Sequence, residues 1–596
     1  MNLPFDVFTF CRDSLLMILA WFLLAISYFS WGRFFSKILN INISGNKGLI
    51  KNIWLGWTFS IFFFSIYHLF LPINLTASIV FFIPAIIFFL IKYSIKLPYF
   101  LKSIGWLKLT AIIFTIFAAS AVSIQLPLNF DTGYYHLNSI RWANECHIVK
   151  GIGNLHDRLG FNQLYFLYAA SLNFHPFLND YAFHAANGFL YAIYAVGMIL
   201  GGTFIDLLLL CLFFFIPMPY YWINNPTPDI ASTLIQIVVF KYLLEVFFYN
   251  SNSKERSSYI AFAAVLSAFM VCIKLSNAIL ALGFGITTFL FTKKFTFEQF
   301  EKKIIQRSFV FIVILFTIWI IRGYIQTGYL AYPSSIGKIN FAWTVPDRIA
   351  LNQRNSIYAS ARTCGQSFDI NEPMVKNNEW FEFWFKWNFI DTNRFFIEKD
   401  LLNYIKDAVL LIVFPMTEFM WGTGSLTMFI TSIILFIVWL ATYFKNKELL
   451  NQSYILLSLL IIEFLSIVIW FITVPDFRFA NGMFILLFVT SILMTKAAYP
   501  KLQINKKIKT FMMFYSVLIF IWCFSISYSM GEFGFCGMIT LKKLPMKTFV
   551  TNSGLKLLVP AQGKQPWDSD LPATPEPEKN LVLFSSTIND GFYINE

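Results

Sequence analysis

The sequence predicts an all-α integral membrane protein, a polytopic bundle of about fourteen transmembrane helices. Of its 596 residues, 57% are hydrophobic and 13% are charged, whereas a typical soluble domain has about 25% charged residues. Apolar runs recur along nearly the whole chain, and several reach the ~20 residues that a helix needs to cross a hydrocarbon core. Their hydrophobicity is continuous rather than alternating, which excludes a transmembrane β-barrel.

Fourteen apolar runs are long enough to be predicted as spans. They cover roughly residues 10–30, 53–72, 75–92, 109–126, 186–203, 205–220, 229–248, 258–275, 276–292, 308–326, 424–443, 453–473, 480–496 and 510–529.

The basic residues are concentrated in short turns. The net charge of +13 would suggest nucleic-acid binding in a soluble protein. Here six turns hold 22 Lys or Arg against 4 acidic residues, namely 31–52, 92–108, 249–257, 293–307, 445–451 and 496–509. Loop 127–185 instead holds 3 basic and 4 acidic residues, and loop 327–404 holds 8 of each. Short cytoplasmic loops accumulate Lys and Arg, so we expect both long loops and both termini outside, and no nucleic-acid partner.

This topology divides the chain into six parts. They are N-terminal transmembrane helices (1–126), a first large extracytoplasmic loop with interfacial helices (127–185), further transmembrane helices (186–326), a second large extracytoplasmic loop (327–423), C-terminal transmembrane helices (424–530) and an extracytoplasmic tail (531–596). Within the second loop, residues 404–420 are apolar, yet a full crossing there would invert everything downstream. We interpret them as re-entrant or interfacial.

The stretch after the fourth span carries the strongest functional signal. Asp131 stands at the outer mouth of a helix, where an ionisable group near lipid is a functional hypothesis by default. A partly buried carboxylate is suited to act as a general base towards a sugar hydroxyl. Alternatively, Asp131 caps a helix that starts at Thr132, because Asp is a favoured N-cap residue.

This stretch resembles a known superfamily. The residues that carry the resemblance are Phe130-Asp131-x-x-Tyr134-Tyr135-His136, followed by Trp142 and Gly151. They look like the first extracytoplasmic loop of the GT-C superfamily, polytopic glycosyltransferases that use polyprenyl-phosphate-linked sugars and include protein mannosyltransferases and the lipid A aminoarabinose transferase. The resemblance implies a catalytic or acceptor-positioning role for Asp131, and substrate contacts for Tyr134, His136 and Trp142.

The sequence also departs from the superfamily pattern. Three helices precede the fourth span, whereas superfamily members usually place this loop after their first helix, and position 132 is Thr where a second acidic residue is often found. The tail pattern Trp567-Asp568…Leu571-Pro572…Thr574-Pro575…Asn580-Leu581 separately resembles that of an uncharacterised bacterial membrane-protein family.

Two further segments supply candidate catalytic and binding residues. Asp229 opens the seventh predicted span after Asn-Asn-Pro-Thr-Pro, and it is a second catalytic candidate that could assist Asp131 or share a divalent cation with it. Helix capping is the alternative. Lys274, late in the eighth span, must pair with an acid, reach the interface or line a cavity, and Asp229 is one candidate partner.

Two arginines are candidate phosphate contacts. Arg478 lies in Pro-Asp-Phe-Arg-Phe between the twelfth and thirteenth spans, and its planar guanidinium suits the phosphate of a lipid-linked donor. A snorkelling arginine paired with Asp476 is the alternative. Arg322 ends the tenth span beside a Tyr-rich exit, although Tyr at an interface commonly serves as an anchor.

Five of the six histidines fall in the first large loop, at positions 136, 147, 156, 175 and 184. No pair among them has the i,i+4 spacing of a helical metal site, so we expect contacts to water, backbone or substrate rather than to a metal.

Together these features predict a membrane glycosyltransferase in a bacterial cytoplasmic (inner) membrane. It would move a sugar from a polyprenyl-phosphate donor to an extracytoplasmic acceptor such as an envelope glycan, a lipid or a protein. The alternatives are a glycolipid or polysaccharide transporter or flippase, and a polysaccharide polymerase or ligase. A transporter would be expected to show internal repeats, and four Arg residues in loop 327–404 keep the polymerase alternative open.

Overall fold

A computed structural model gives the architecture of the protein. It describes residues 7–42, 47–93, 103–125, 127, 129–174, 182–213, 223–248, 253–292, 299–390, 423–447, 449–499, 507–512, 514 and 544–595.

The described part of the chain is mainly helical. Its α-helices are, in chain order, α1 (Val7–Ile38), α2 (Lys47–Tyr67), α3 (Leu75–Lys92), α4 (Trp106–Ser123), α5 (Leu137–Glu145), α6 (Tyr165–Ala170), α7 (Ala182–Gly201), α8 (Phe204–Phe213), α9 (Pro228–Phe248), α10 (Ser253–Ile273), α11 (Ala278–Thr292), α12 (Gln299–Thr327), α13 (Asp347–Arg362), α14 (Pro373–Lys376), α15 (Trp380–Phe385), α16 (Thr423–Lys445), α17 (Leu449–Thr473) and α18 (Asn481–Ala498).

Twelve of these helices are long and apolar enough to cross a membrane, where α11 is extended by the preceding turn Leu275–Asn277. The six described helices that are too short or too polar to cross a membrane are α5, α6, α8, α13, α14 and α15. The twelve coincide with twelve of the predicted spans, so the prediction of an all-α polytopic membrane protein is confirmed. The two remaining predicted spans, 205–220 and 510–529, lie partly outside the described residues. The segment 404–420 lies entirely outside them.

The helices differ in how much of their surface faces protein. In the most apolar 18-residue stretch of each helix, 94% of the residues are buried in α9 and 22% are buried in α16. A helix that is apolar all round and enclosed on every side belongs to the centre of a bundle. Asp229, in the first turn of α9, is therefore held by protein and not by lipid.

Hydrogen bonds near the helix ends fall into two groups, one at each end of the bundle. In one group, the amide of Ile73 donates to the carbonyl of Ala143 (2.8 Å) and the amide of Leu164 donates to the carbonyl of Cys272 (3.0 Å). In the other, Lys108 donates to the carbonyl of Leu200 (2.8 Å). The first group brings together the large loop after α4 and the α2–α3 and α10–α11 turns, and it is at this end that the charged residues converge.

The tail forms two small antiparallel hairpins against the first large loop. Strand β1 (Met546–Val550) pairs with β2 (Lys556–Pro560), and β3 (Leu581–Leu583) pairs with β4 (Phe592–Ile594). The described part of the tail, residues 544–595, does not form a separate core. Its buried residues Leu557, Leu581 and Phe592 share one apolar cluster with six residues of the loop, namely Trp142, Cys146, Val149, Ile152, Leu155 and Leu159.

Candidate active site

A cavity of about 210 Å³ opens among the loops at this end of the bundle. Its walls come from the loop after α4, the start of α9, the α10–α11 turn, the end of α12, and the turn between α17 and α18. The charged residues that line it are Asp131, Arg158, Asp229, Lys274, Asp476 and Arg478. All of these except Arg158 are residues that the sequence singles out.

Asp131 is shared by two arginines. Its Oδ1 accepts from Arg158 Nη1 at 2.7 Å, and its Oδ2 accepts from Arg478 Nη1 at 2.7 Å. The carboxylate caps no helix, because the π-helical turn Thr132–His136 that follows receives no side-chain hydrogen bond from Asp131. The capping interpretation is therefore wrong, and both oxygens are engaged in ion pairs.

A buried network of amide side chains fixes the backbone at this position. The Asn129 side chain accepts from the amide of Asp131 at 2.8 Å. Asn225 Oδ1 in turn accepts from the amide of Asn129 and from Thr132 Oγ1, each at 3.0 Å. The polar segment before α9 thus positions the carboxylate that follows α4, although the two lie almost a hundred residues apart.

Charge rather than burial decides the ionisation of Asp131. Burial alone would raise the pKa of this carboxyl, but the guanidinium groups of Arg158 and Arg478 outweigh burial and hold the pKa well below its usual range. Asp131 is therefore ionised, and it is a weak base for as long as both arginines remain on it.

Arg478 bridges two carboxylates. Besides its bond to Asp131, its Nε lies 2.6 Å from Asp476 Oδ2, so the pairing with Asp476 expected for a snorkelling arginine exists alongside a contact to the site. The guanidinium is held in the turn because its own backbone amide donates to Asp476 Oδ1 at 3.1 Å.

Asp229 and Lys274 form an ion pair, so the candidate partnership is confirmed. Asp229 lies in the first turn of α9, and Lys274 begins the turn between α10 and α11. The Lys274 ammonium lies 3.7 Å from the centre of the Phe479 ring, next to Arg478. The two catalytic candidates and the Arg478 turn therefore face one cavity.

Tyr134 and His136 lie behind Asp131. The Tyr134 ring packs 4.7 Å from the Arg158 guanidinium carbon, a cation–π arrangement that helps to orient that arginine. His136 is buried, and burial lowers its pKa to about 3 although Asp131 opposes the shift. It is neutral at physiological pH and contacts Thr132, so both residues support the site without lining the cavity.

Two other candidates lie away from this cavity. Trp142 packs on Phe592 of the tail, and Arg322 binds the carbonyl of Ser65 and the ring of His68. On α12, Trp319 and Gly323 face the main cavity, whereas Arg322 faces a second, smaller one. The prediction that Trp142 and Arg322 join Asp131 in one site is therefore corrected by the structure.

The tail reaches the site through Trp567. Its backbone amide donates to the carbonyl of Gly133 at 2.9 Å, and a Cβ added to Gly133 would come within 2.5 Å of the Trp567 ring. Arg141 adds ion pairs to Asp568 and Asp570. The tail thus clamps the π-helical turn that follows Asp131.

Arg158 and Asp157 are the residues that sequence reasoning missed. Arg158 lies in a 3₁₀ turn, Asp157–Gly160, and only the fold brings it to Asp131. Asp157 accepts from the amide of Arg158 at 2.7 Å. Burial raises the pKa of Asp157 to about 6, although Arg158 opposes the shift. A carboxyl with a raised pKa beside the site is a measurable signature of the fold.

The raised pKa of Asp157 predicts a pH-dependent stability. The folded protein binds this proton more tightly than the unfolded chain, whose Asp titrates near pH ~4. The stabilisation is present below about pH 4 and is lost as the pH rises through about 6. We expect wild type to lose about 1–3 kcal/mol relative to Asp157→Asn between pH 4 and 7, measured by unfolding in detergent. Parallel stability curves for the two proteins would contradict the raised pKa.

The loop histidines and loop arginines named for the metal and polymerase alternatives do not line the main cavity where the structure describes them. Within the described ranges, no group of three or more His, Cys, Asp and Glu side chains is placed to hold a metal ion, and His175 lies outside those ranges. Of the loop arginines, Arg348 pairs with Glu578 of the tail and Arg362 binds the carbonyls of residues 472 and 473. Arg394 lies outside the described residues.

These features define a polytopic integral membrane protein with a buried, charged cavity at one end of its bundle. The chain belongs to the family described as a domain of unknown function (DUF8201), whose model matches residues 15–485. That range contains every charged residue of the cavity and ends before the tail. No curated protein matches the chain, and no solved structure matches it.

Proposed function

We propose that this protein is a membrane glycosyltransferase that moves a sugar from a polyprenyl-phosphate donor to an acceptor hydroxyl. The observation that carries the proposal is that Asp131, Arg478 and the Asp229–Lys274 pair line one cavity at the end of a membrane bundle. The resemblance of the Asp131 segment to GT-C enzymes supports the same conclusion. A lipid-linked donor accounts for a site built between transmembrane helices, because its leaving group stays in the bilayer.

The donor phosphate would replace Asp131 as a partner of the Arg478 guanidinium. The cavity is lined by three cationic and three anionic side chains, so its formal charge is balanced. An arginine already poised between two carboxylates binds phosphate through the same forked geometry. When Arg478 turns to the phosphate, Asp131 retains only Arg158, and its basicity rises because one of the charges that depresses its pKa is gone.

The transfer step uses this regained basicity. The acceptor oxygen attacks the anomeric carbon, the bond from that carbon to the phosphate oxygen breaks, and the bonding electrons leave with polyprenyl phosphate. The acceptor proton passes to Asp131. The leaving phosphate gains a negative charge during this step, and fixed donors such as Arg478 stabilise charge that develops in a transition state.

Asp229 and Lys274 take the acceptor side in this proposal. Their ion pair holds a carboxylate at the cavity surface without leaving it unpaired in a buried setting. A carboxylate so placed accepts hydrogen bonds from sugar hydroxyls and orients the attacking one, which is a positioning role.

The proposed setting is the bacterial cytoplasmic membrane, with the cavity facing outward. The support is the excess of Lys and Arg in the six short turns of the sequence, against a near balance of charge in the two long loops. The acceptor would then be an envelope glycan, lipid or protein.

The test is release of polyprenyl phosphate by purified protein given a panel of polyprenyl-phosphate sugars together with candidate acceptors, namely envelope glycan, lipid and protein. We expect release with at least one donor, and a loss of about 100-fold in Arg478→Gln, the usual cost of removing a donor to transition-state charge. Arg348→Gln is the matched control, because Arg348 pairs with Glu578 on the exposed surface. Absence of release across the panel, or equal rates in both variants, would remove the proposed chemistry.

A further inference from the structure

A second cavity of about 40 Å³ lies behind the main one. Phe161, Asn162 and Gln163 line both cavities, so the two share a wall. Arg322 of α12 and Trp142 of the first loop line the second cavity and not the main one. The transfer mechanism uses neither of these residues.

Arg322 is a buried cation without a counter-charge. It is 2% exposed, and its Nη1 lies 3.3 Å from the Ser65 carbonyl and 3.2 Å from His68 Nδ1. The described partners of its guanidinium are this carbonyl and this ring, and neither is a carboxylate. Burying an unpaired charge costs free energy. An anion bound next to Arg322 would reduce that cost.

His68 does not supply that negative charge. Its Nε2 lies 3.1 Å from the carbonyl of Cys146 and must donate to it. Its Nδ1 is therefore the acceptor for Arg322, which makes the ring neutral. Burial lowers the pKa of His68 well below its usual range, and the nearby guanidinium lowers it further. The pair keeps a full positive charge.

Unpartnered groups around the cavity identify the chemistry of the missing partner. Arg322 Nε and Trp142 Nε1 can only donate hydrogen bonds, and both are buried without an acceptor in the described part of the chain. Gln163 Oε1 and Gln326 Oε1 are buried and equally unpartnered acceptors. Donors beside a net positive charge favour an anion, and the amide oxygens favour a water molecule next to it.

We propose that the second cavity binds a small inorganic anion of halide size, held by Arg322 and Trp142, with water completing the contacts to the amides. At about 40 Å³ the cavity has space for an ion and a neighbouring water, since one water needs roughly 10–15 Å³ on this measure. A sugar does not fit it. The anion neutralises Arg322 and stabilises the wall that the two cavities share.

The test is thermal unfolding of the detergent-solubilised protein in sodium chloride or sodium bromide against sodium gluconate, at constant ionic strength. We expect a saturable rise of about 2–5 °C with either halide, because an ion that binds only the folded state stabilises it. Arg322→Gln should abolish the rise. Trp142→Phe, which removes only the donor and keeps the ring on Phe592, should shift its midpoint to several-fold higher halide.

Arg362→Gln is the control, because Arg362 is equally buried but binds the carbonyls of residues 472 and 473. It should lower the unfolding temperature and keep the halide response. Bromide should give an anomalous peak beside Arg322 in a crystal. A wild-type protein indifferent to halide, or a response that survives in Arg322→Gln, would overturn the proposal and leave a cavity filled by water alone. None of these readouts depends on sugar transfer.

Discussion

Asp131→Asn is expected to lower sugar transfer by roughly 10²–10⁴-fold, the usual contribution of a positioned general base. It should also destabilise the protein. Among the described residues, Asp131 is the carboxylate that pairs with the buried Arg158, and removing one partner of a buried pair costs about 3–5 kcal/mol. Arg478 keeps its ion pair with Asp476, so its loss of stabilisation in this variant is smaller than that of Arg158. A loss of activity in this variant alone would therefore have two explanations.

A double variant separates them. Asp131→Asn combined with Arg158→Gln removes one negative and one positive charge from the cavity, so the local charge balance is restored while the base is still absent. We expect the double variant to recover most of the unfolding temperature and none of the transfer rate. Arg158→Gln alone keeps Asp131 paired with Arg478 and should retain measurable transfer.

The measurements are the rate of polyprenyl phosphate release and the unfolding temperature in detergent for all four proteins. Recovery of both rate and stability in the double variant would mean that Asp131 acts only as a structural counter-charge for Arg158. Full transfer in Asp131→Asn would remove the carboxylate from the mechanism altogether.

The membrane helices could be predicted because their signal is local. A run of about 20 apolar residues has few alternatives to a helix in a bilayer. The same reasoning identified Asp131, Asp229, Lys274 and Arg478, because an ionisable residue at the end of an apolar run is costly there unless it serves a purpose. These four residues do meet in one cavity.

The partners of these residues could not be predicted, because they depend on contacts between distant segments. Arg158 reaches Asp131 across 27 residues, and Trp567 of the tail reaches Gly133 across more than four hundred. Arg322 shows a different limit. Helical geometry turns Arg322 by about 100° from its neighbour Gly323, but a single sequence does not tell which residue faces which cavity.

Gly56→Ala is expected to be the most disruptive of the conservative substitutions in the membrane helices. Helices α1 and α2 cross at two points where backbone meets backbone. A Cβ on Gly56 would lie 1.7 Å from the carbonyl oxygen of Tyr28, and one on Gly32 would lie 1.7 Å from that of Asn52. Small residues at helix crossings permit this close approach, and no rotamer change relieves a clash with backbone. We expect a loss of about 3 kcal/mol or more, at or above the upper end for overpacking.

Gly285→Ala in α11 is the matched control, because a Cβ there meets nothing within 4 Å. It should be neutral or raise stability by up to about 1 kcal/mol, since Ala favours a helix over Gly. Unfolding in detergent compares the two variants, and equal effects would contradict the close α1–α2 crossing.

The α1–α2 crossing also affects the position of the first loop at the site. Helix α2 leads directly into His68, whose carbonyl accepts from the amide of Ile148 at 2.8 Å. Forcing α1 and α2 apart should therefore shift the first loop, and the loss of stability in Gly56→Ala should be accompanied by a loss of transfer.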